Sequence, residues 1–158
     1  MSAQKTAVVD ILEKSRRVFE RLADEFDRSR LRESTDMRRQ VLAALDVVEP
    51  ALAAQRCIQA AVWSQRAARP PEWRQAQAAA DLQRDQISSL VKDMRVLASG
   101  GARYRPEHVG ALAFMLAKAL REHLSHEQGR FRRPTAARGA QIAALGALRR
   151  VEAMLGRL

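Results

Sequence analysis

Apolar positions recur every three or four residues along almost the whole chain, and no stretch alternates as a strand would. Val8, Leu12, Ser15, Phe19, Leu22 and Phe26 carry this spacing first, with Ile11 and Val18 beside them. They predict a long amphipathic helix over roughly residues 4–32. Ser34, Thr35 and Asp36 read as a stop and as the N-cap of a second helix over 36–68. Val41, Leu45, Val48 and Leu52 share one face of it, and the pattern continues through Cys57, Ile58 and Val62. Pro50 falls inside that helix, removes a backbone donor and predicts a bend. Pro70-Pro71 separates it from a third helix over 71–98, striped by Trp73, Ala76, Ala80, Arg84, Ile87, Val91 and Met94. Ser99-Gly100-Gly101 breaks the pattern, and Pro106 opens a fourth helix over 106–129. Its stripe is Val109, Leu112, Leu116, Ala119, Leu120, His123, Leu124 and Glu127. A fifth, over 136–157, carries Ile142, Leu145, Leu148, Val151 and Leu155. Long helices with short connections imply an all-α fold. The expectation is one domain over 1–158, an antiparallel up-down four-helix bundle with an additional C-terminal helix packed against it.

Composition adds limits. A chain of 158 residues that is 47% hydrophobic can bury a core, and with 4% aromatic residues that core must be aliphatic. A single cysteine, Cys57, excludes an internal disulfide framework. No run approaches the roughly 20 apolar residues that span a bilayer. The first residues hold no sustained apolar segment, so neither a transmembrane segment nor a signal peptide is expected, and the cytoplasm is the expected location.

The formal charge is +10, from 28 basic and 18 acidic residues, four of the bases being lysine and the rest arginine. Arginine in place of lysine, with abundant alanine, matches the coding bias of a GC-rich genome. The surplus also suits an acidic partner, and nucleic acid is one candidate. It gathers late: Arg130, Arg132, Arg133, Arg138, Arg149, Arg150 and Arg157 face one acid, Glu152, and the first four form a candidate anion-binding segment.

Three polar residues interrupt the apolar stripes. Arg84 lies on the third helix; His123 and Glu127 lie four apart on the fourth and so project from one side. A buried charge needs a partner, so these three need one another, water or a metal unless they sit at the rim. His-x-x-x-Glu is metal-ligand spacing for a helical bundle, but two ligands on one helix do not hold a metal alone. His108, in a first turn, is expected to be exposed. Cys57, beside Arg56 but among Ala and Ile, reads as a small packed hydrophobe rather than a nucleophile. Trp63 and Trp73 read as caps at the end of the bundle. No paired carboxylates or glycine-rich phosphate loop appear, so no enzyme activity is expected.

At these residues the chain resembles a family. LREHLSHEQGRFRRP, residues 120–134, is similar to the fourth-helix motif of hemerythrin-like cation-binding domains. There His-x-x-x-Glu is followed by a second acid, a large apolar residue and a proline. His123 and Glu127 match the two ligand positions, Gln128 replaces the second acid, Phe131 stands near the apolar place, and Pro134 falls one residue late. SRRVFERL, residues 15–22, and DQISSLVKDM, residues 85–94, resemble the first and third helices. The resemblance implies a four-helix bundle whose di-iron site draws histidines and carboxylates from every helix. The ligand positions it points to hold Leu12, Ala53, Cys57 and Arg84 in this chain. A degenerate site without cofactor is therefore expected, and the family's oxygen, nitric oxide and redox chemistry is not carried over. Arg84 opposite Glu127 would neutralise the last carboxylate, and Arg84→Leu would then cost roughly 3–5 kcal/mol.

The expected role is non-catalytic, in binding or regulation, through a protein partner or a second copy. Two alternatives remain: a residual iron protein ligated by His123 and Glu127, and an arginine-rich nucleic-acid-binding module.

Overall fold

The computed structural model of the chain describes residues 2–63, 71–100, 104–128 and 138–158, with side chains described within 9–33, 35–60, 74–100, 104–124 and 139–158. Five α-helices fill them: α1 (Ser2–Ser29), α2 (Ser34–Trp63), α3 (Pro71–Ser99), α4 (Pro106–Gln128) and α5 (Arg138–Leu155). No strand occurs among the described residues, and none of their helices is long and apolar enough to cross a membrane.

Local hydrogen bonds set the helix ends. α1 stops at Ser29, whose Oγ donates to the Phe26 carbonyl at 2.8 Å. A turn follows, with the Leu31 N–H on the Arg28 carbonyl at 3.1 Å. α2 starts two residues before the expected position. The Glu33 carbonyl accepts the Met37 N–H at 2.8 Å, so Glu33 takes the cap position expected of the Ser34–Asp36 run. Asp36 stands in the first turn, where a carboxylate suits the helix dipole. Pro106 opens α4, with Arg105 accepting the Val109 N–H at 3.1 Å. The expected end of the second helix at 68 lies outside the described residues.

The inward rows follow the helical period. On α1, Ile11, Ser15, Val18, Phe19, Leu22 and Phe26 are buried. The solvent side of the same helix carries a ladder in which Arg16 bonds Glu13 at 2.6 Å and Glu20 at 2.5 Å. Those bonds hold the Glu13 carboxyl down at about 2, first through the Arg16 hydrogen bond, against an opposing desolvation. The fifth helix departs from expectation. Its inward row is Gln141, Ala144, Leu148, Val151 and Leu155, spaced three and four apart. Ile142, one residue off that row, is 63% exposed instead of buried.

α1 packs against α2, α4 and α5, while α3 packs against α2 and α4, and α2 also meets α4 and α5. Arginines tie helix ends to neighbours. Arg38 near the start of α2 donates to the carbonyls of Ala98 (2.5 Å) and Ser99 (3.4 Å) at the end of α3. Arg21 on α1 donates to the Leu155 carbonyl at the end of α5 at 3.0 Å. These guanidinium groups satisfy last-turn carbonyls that have no intrahelical partner. Asp46 and Arg95 join α2 to α3 at 2.7 Å. Arg121 on α4 bonds Asp27 (2.7 Å) and Asp24 (2.9 Å) on α1. The Asp27 bond, followed by that to Asp24, lifts the Arg121 pKa against the opposing effect of burial.

Candidate functional site: a polar cluster in the helical core

His123 is fully buried, as is the ring of Phe19, whose centroid lies 6.1 Å away at a tilt of 49°. Both ring nitrogens have glutamine partners. Nε2 lies 2.6 Å from Gln55 Oε1 on α2, and Nδ1 lies 3.1 Å from Gln83 Oε1 on α3. Two carboxamide oxygens facing two ring nitrogens make both nitrogens donors, which is the imidazolium form. Rotating one carboxamide by half a turn supplies the acceptor–donor pair that suits a neutral ring. Among these partners, the charge of the ring and the orientation of one amide are a single variable.

Beside this triad, Arg84 is 2% exposed. Its Nη1 donates to Gln59 Oε1 on α2 and its Nη2 to Asp81 Oδ1, one turn earlier on α3. The Asp81 side chain is 53% exposed, so the counter-charge is half in water while the cation is not. Two buried donors, Arg84 Nε and Gln59 Nε2, have no hydrogen-bond partner. Ser15 is also buried, on α1.

The helical period explains why α2 supplies glutamines. The stripe Val41, Leu45, Val48, Leu52 continues by steps of three and four to Gln55 and Gln59, both buried. The expected ligand register placed Ala53 and Cys57 there, but both are exposed. Two residues correspond to about 200° around a helix, which turns those positions to the opposite side. Cys57 is therefore an exposed thiol and not the packed hydrophobe expected. Glutamine carries neither a charge nor a ring to mark it on an apolar stripe, although the stripe itself leads to Gln55 and Gln59.

Arg84 and His123 bond to glutamines one turn apart on α2, Gln59 and Gln55. The described partners of Arg84 are Gln59 and Asp81; the Glu127 side chain lies outside the described residues, as do those of His126, Gln128, Phe131, Trp63 and Trp73. The candidate anion-binding residues Arg130, Arg132 and Arg133 also lie outside them, and Arg138 opens α5 with its side chain undescribed. His108 is exposed. Leu12 is half-buried against the core.

Compared with models of protein families, with curated proteins and with solved structures, the chain matches none. The site must be judged on its own donors. Among the described residues no three His, Cys, Asp or Glu side chains stand together as a metal site. The cluster offers one imidazole engaged at both nitrogens, neutral carboxamides and a guanidinium. A fixed cation repels a metal ion at short range in a core of low dielectric. These residues do not fit a pair of iron ions.

Proposed function

We propose that this chain is a hemerythrin-like antiparallel up-down four-helix bundle with α5 as an additional helix, whose metal site has given way to a network of its own side chains. Its role is non-catalytic, in binding or regulation, and it acts in the cytoplasm without a cofactor. The helix contacts support the architecture. The start of α2 meets the end of α3 through Arg38, and further along Asp46 meets Arg95. Arg121 meets Asp24 and Asp27, while Arg30, just past the end of α1, lies over Phe114, earlier on α4, at 5.0 Å. Both pairs fit helices that run in opposite senses.

One observation carries the functional reading. His123, the histidine that matches a ligand position, has both nitrogens bonded to glutamines, and the neighbouring cation is Arg84. A cation covalently attached to α3 can neutralise and cross-link a polar core without a bound ion. The test is elemental analysis of the protein purified without a metal-affinity step, beside a sample refolded with ferrous iron. About zero metal per chain is expected in both. Stoichiometric iron, lost on His123→Ala, would replace this reading with an iron protein.

A further inference from the structure

Over most of the described surface the protein holds its own arginines. Arg16, Arg28, Arg95 and Arg121 pair with carboxylates, and Arg21 and Arg38 donate to carbonyls at helix ends. On α5 the pattern changes. Arg149, Arg150 and, in the turn that closes the helix, Arg157 are all exposed. Among the described residues no side-chain hydrogen bond or ion pair holds any of the three. Glu152 is the one acid on this helix.

The inward row fixes where these cations stand. Gln141, Ala144, Leu148, Val151 and Leu155 are buried, so the opposite side of α5 carries Gly139, Ile142, Ala143, Gly146 and Ala153. Arg149 and Arg150 follow Gly146 by one turn and diverge by about 100°, one to either side of it. Apart from Ile142 the strip between them is made of small residues. Gly146 lies mid-helix, where glycine is less stable than alanine. The fold does not demand it: a Cβ there would meet only Arg150 Nη1, at 3.9 Å, and at Gly139 a Cβ would meet nothing within 4 Å. A bare strip of helix flanked by free guanidinium groups therefore faces outward.

The chemistry of the strip selects its partner. A guanidinium fork matches two phosphate oxygens. A strip without bulky side chains lets a rod-shaped polyanion lie close to the helix while arginines reach along both sides. Single strands stack their bases on aromatic rings, and this face has none. A protein interface centres on large buried anchors, and a helix lying on a membrane needs a broad apolar face; here Ile142 is the one large apolar side chain. Asn and Gln, which read base edges in pairs of hydrogen bonds, are absent from the strip. We infer that the outward face of α5, through Arg149, Arg150 and Arg157, binds the phosphate backbone of duplex DNA without sequence preference. It gives the proposed binding role a partner, on residues separate from the polar cluster.

The experiment follows fluorescence anisotropy of a short labelled DNA duplex titrated with the full chain, from low to physiological salt. Three phosphate contacts make log K fall with log salt at a slope of about −2.7. Arg149→Gln with Arg150→Gln is expected to reduce that slope by about 2. Arg74→Gln with Lys92→Gln is the matched control. It removes the same charge from exposed positions on α3, whereas α5 packs on α1 and α2, and its slope is expected to stay at the native value. Gly146→Leu keeps the charge, favours the helix and fills the strip, so it is expected to melt higher and bind the duplex more weakly. No binding in low salt, an affinity independent of salt, or equal slopes for the α3 and α5 pairs overturns the inference. A Gly146→Leu chain that binds as tightly as the native one overturns it too. So does equal or tighter binding to phosphatidylcholine–phosphatidylserine vesicles, which would make the face a membrane surface. Metal content of the same samples keeps the two readings apart. Bound iron overturns the metal-free cluster and leaves this face standing, whereas loss of salt-dependent duplex binding overturns this face alone.

Discussion

A double-mutant cycle on Arg84 and Gln59 tests whether the cluster is a coupled unit. Arg84→Leu removes the guanidinium and leaves the Gln59 carboxamide, 3% exposed, with no partner for the oxygen or the nitrogen. An unsatisfied buried amide costs about 1–3 kcal/mol. The Asp81 side chain, 53% exposed, loses an ion pair worth about 0.5 kcal/mol or less and is rehydrated. Removal of a desolvated cation offsets part of this, so the net loss is about 1–2 kcal/mol. Gln59→Leu is worse, at about 2–4 kcal/mol, because it leaves the buried cation with only its rim aspartate. The double variant replaces the pair with apolar packing and is expected to lose about 1 kcal/mol or less. The coupling energy is then at least about 2 kcal/mol. Urea unfolding followed by circular dichroism, in gluconate buffer, measures all four proteins, and equal m-values show that they unfold over the same surface. Additive effects, with coupling below about 0.5 kcal/mol, would refute the reasoning. A loss of about 3–5 kcal/mol for Arg84→Leu that Gln59→Leu does not relieve would place the counter-charge on α4, at Glu127.

Two further outcomes follow from the surface. The Glu13 carboxyl is held at about 2 by Arg16, below its ordinary 4.5. Between those values the unfolded chain binds more protons, so this contribution is fully present above pH 4.5 and is lost as pH falls through about 2. Because the ladder is exposed, Glu13→Gln should flatten this acid limb in low salt and have little effect in 0.5 M salt; acid titration of Tm in both salts measures it, and a salt-independent difference would contradict it. Cys57 is exposed, so a disulfide reagent is expected to label it in the native state at close to the rate of a free thiol in urea, while a rate a hundredfold slower would mean that it is covered.

The helices were legible because each inward row follows one period and is bounded by proline, glycine or a short polar turn. Phe19, Leu22 and Phe26 on α1 and Ile87, Val91 and Met94 on α3 lie where the spacing put them, inside the core. Boundaries were less legible because they depend on single backbone bonds. At the start of α2 the side chains of Ser34, Thr35 and Asp36 suggested the cap, but the Glu33 carbonyl takes the first helical N–H. On α5 the large apolar Ile142 drew the stripe one residue off, because alanine and glutamine at Ala144 and Gln141 give a weak signal of inwardness.

The polar cluster was half legible, and the missing half has a chemical cause. Arg84 and His123 stood out because a charge or an imidazole on an apolar stripe demands explanation. Gln55, Gln59 and Gln83 did not, because glutamine is ordinary on a helix surface and carries no charge. Yet in a buried site glutamine is the side chain that can face either partner. Its oxygen meets a guanidinium or a protonated ring nitrogen, and its amide meets an acceptor. In this core, three carboxamides turn their oxygens toward His123 and Arg84. Their orientation leaves N–H groups on the far side, and at Gln59 that group has no partner. A core assembled from one guanidinium, one imidazole and three carboxamides is rich in donors. Its donors call for acceptors, whereas a metal ion would itself need them, which is why the metal measurement bears directly on the identity of the cluster.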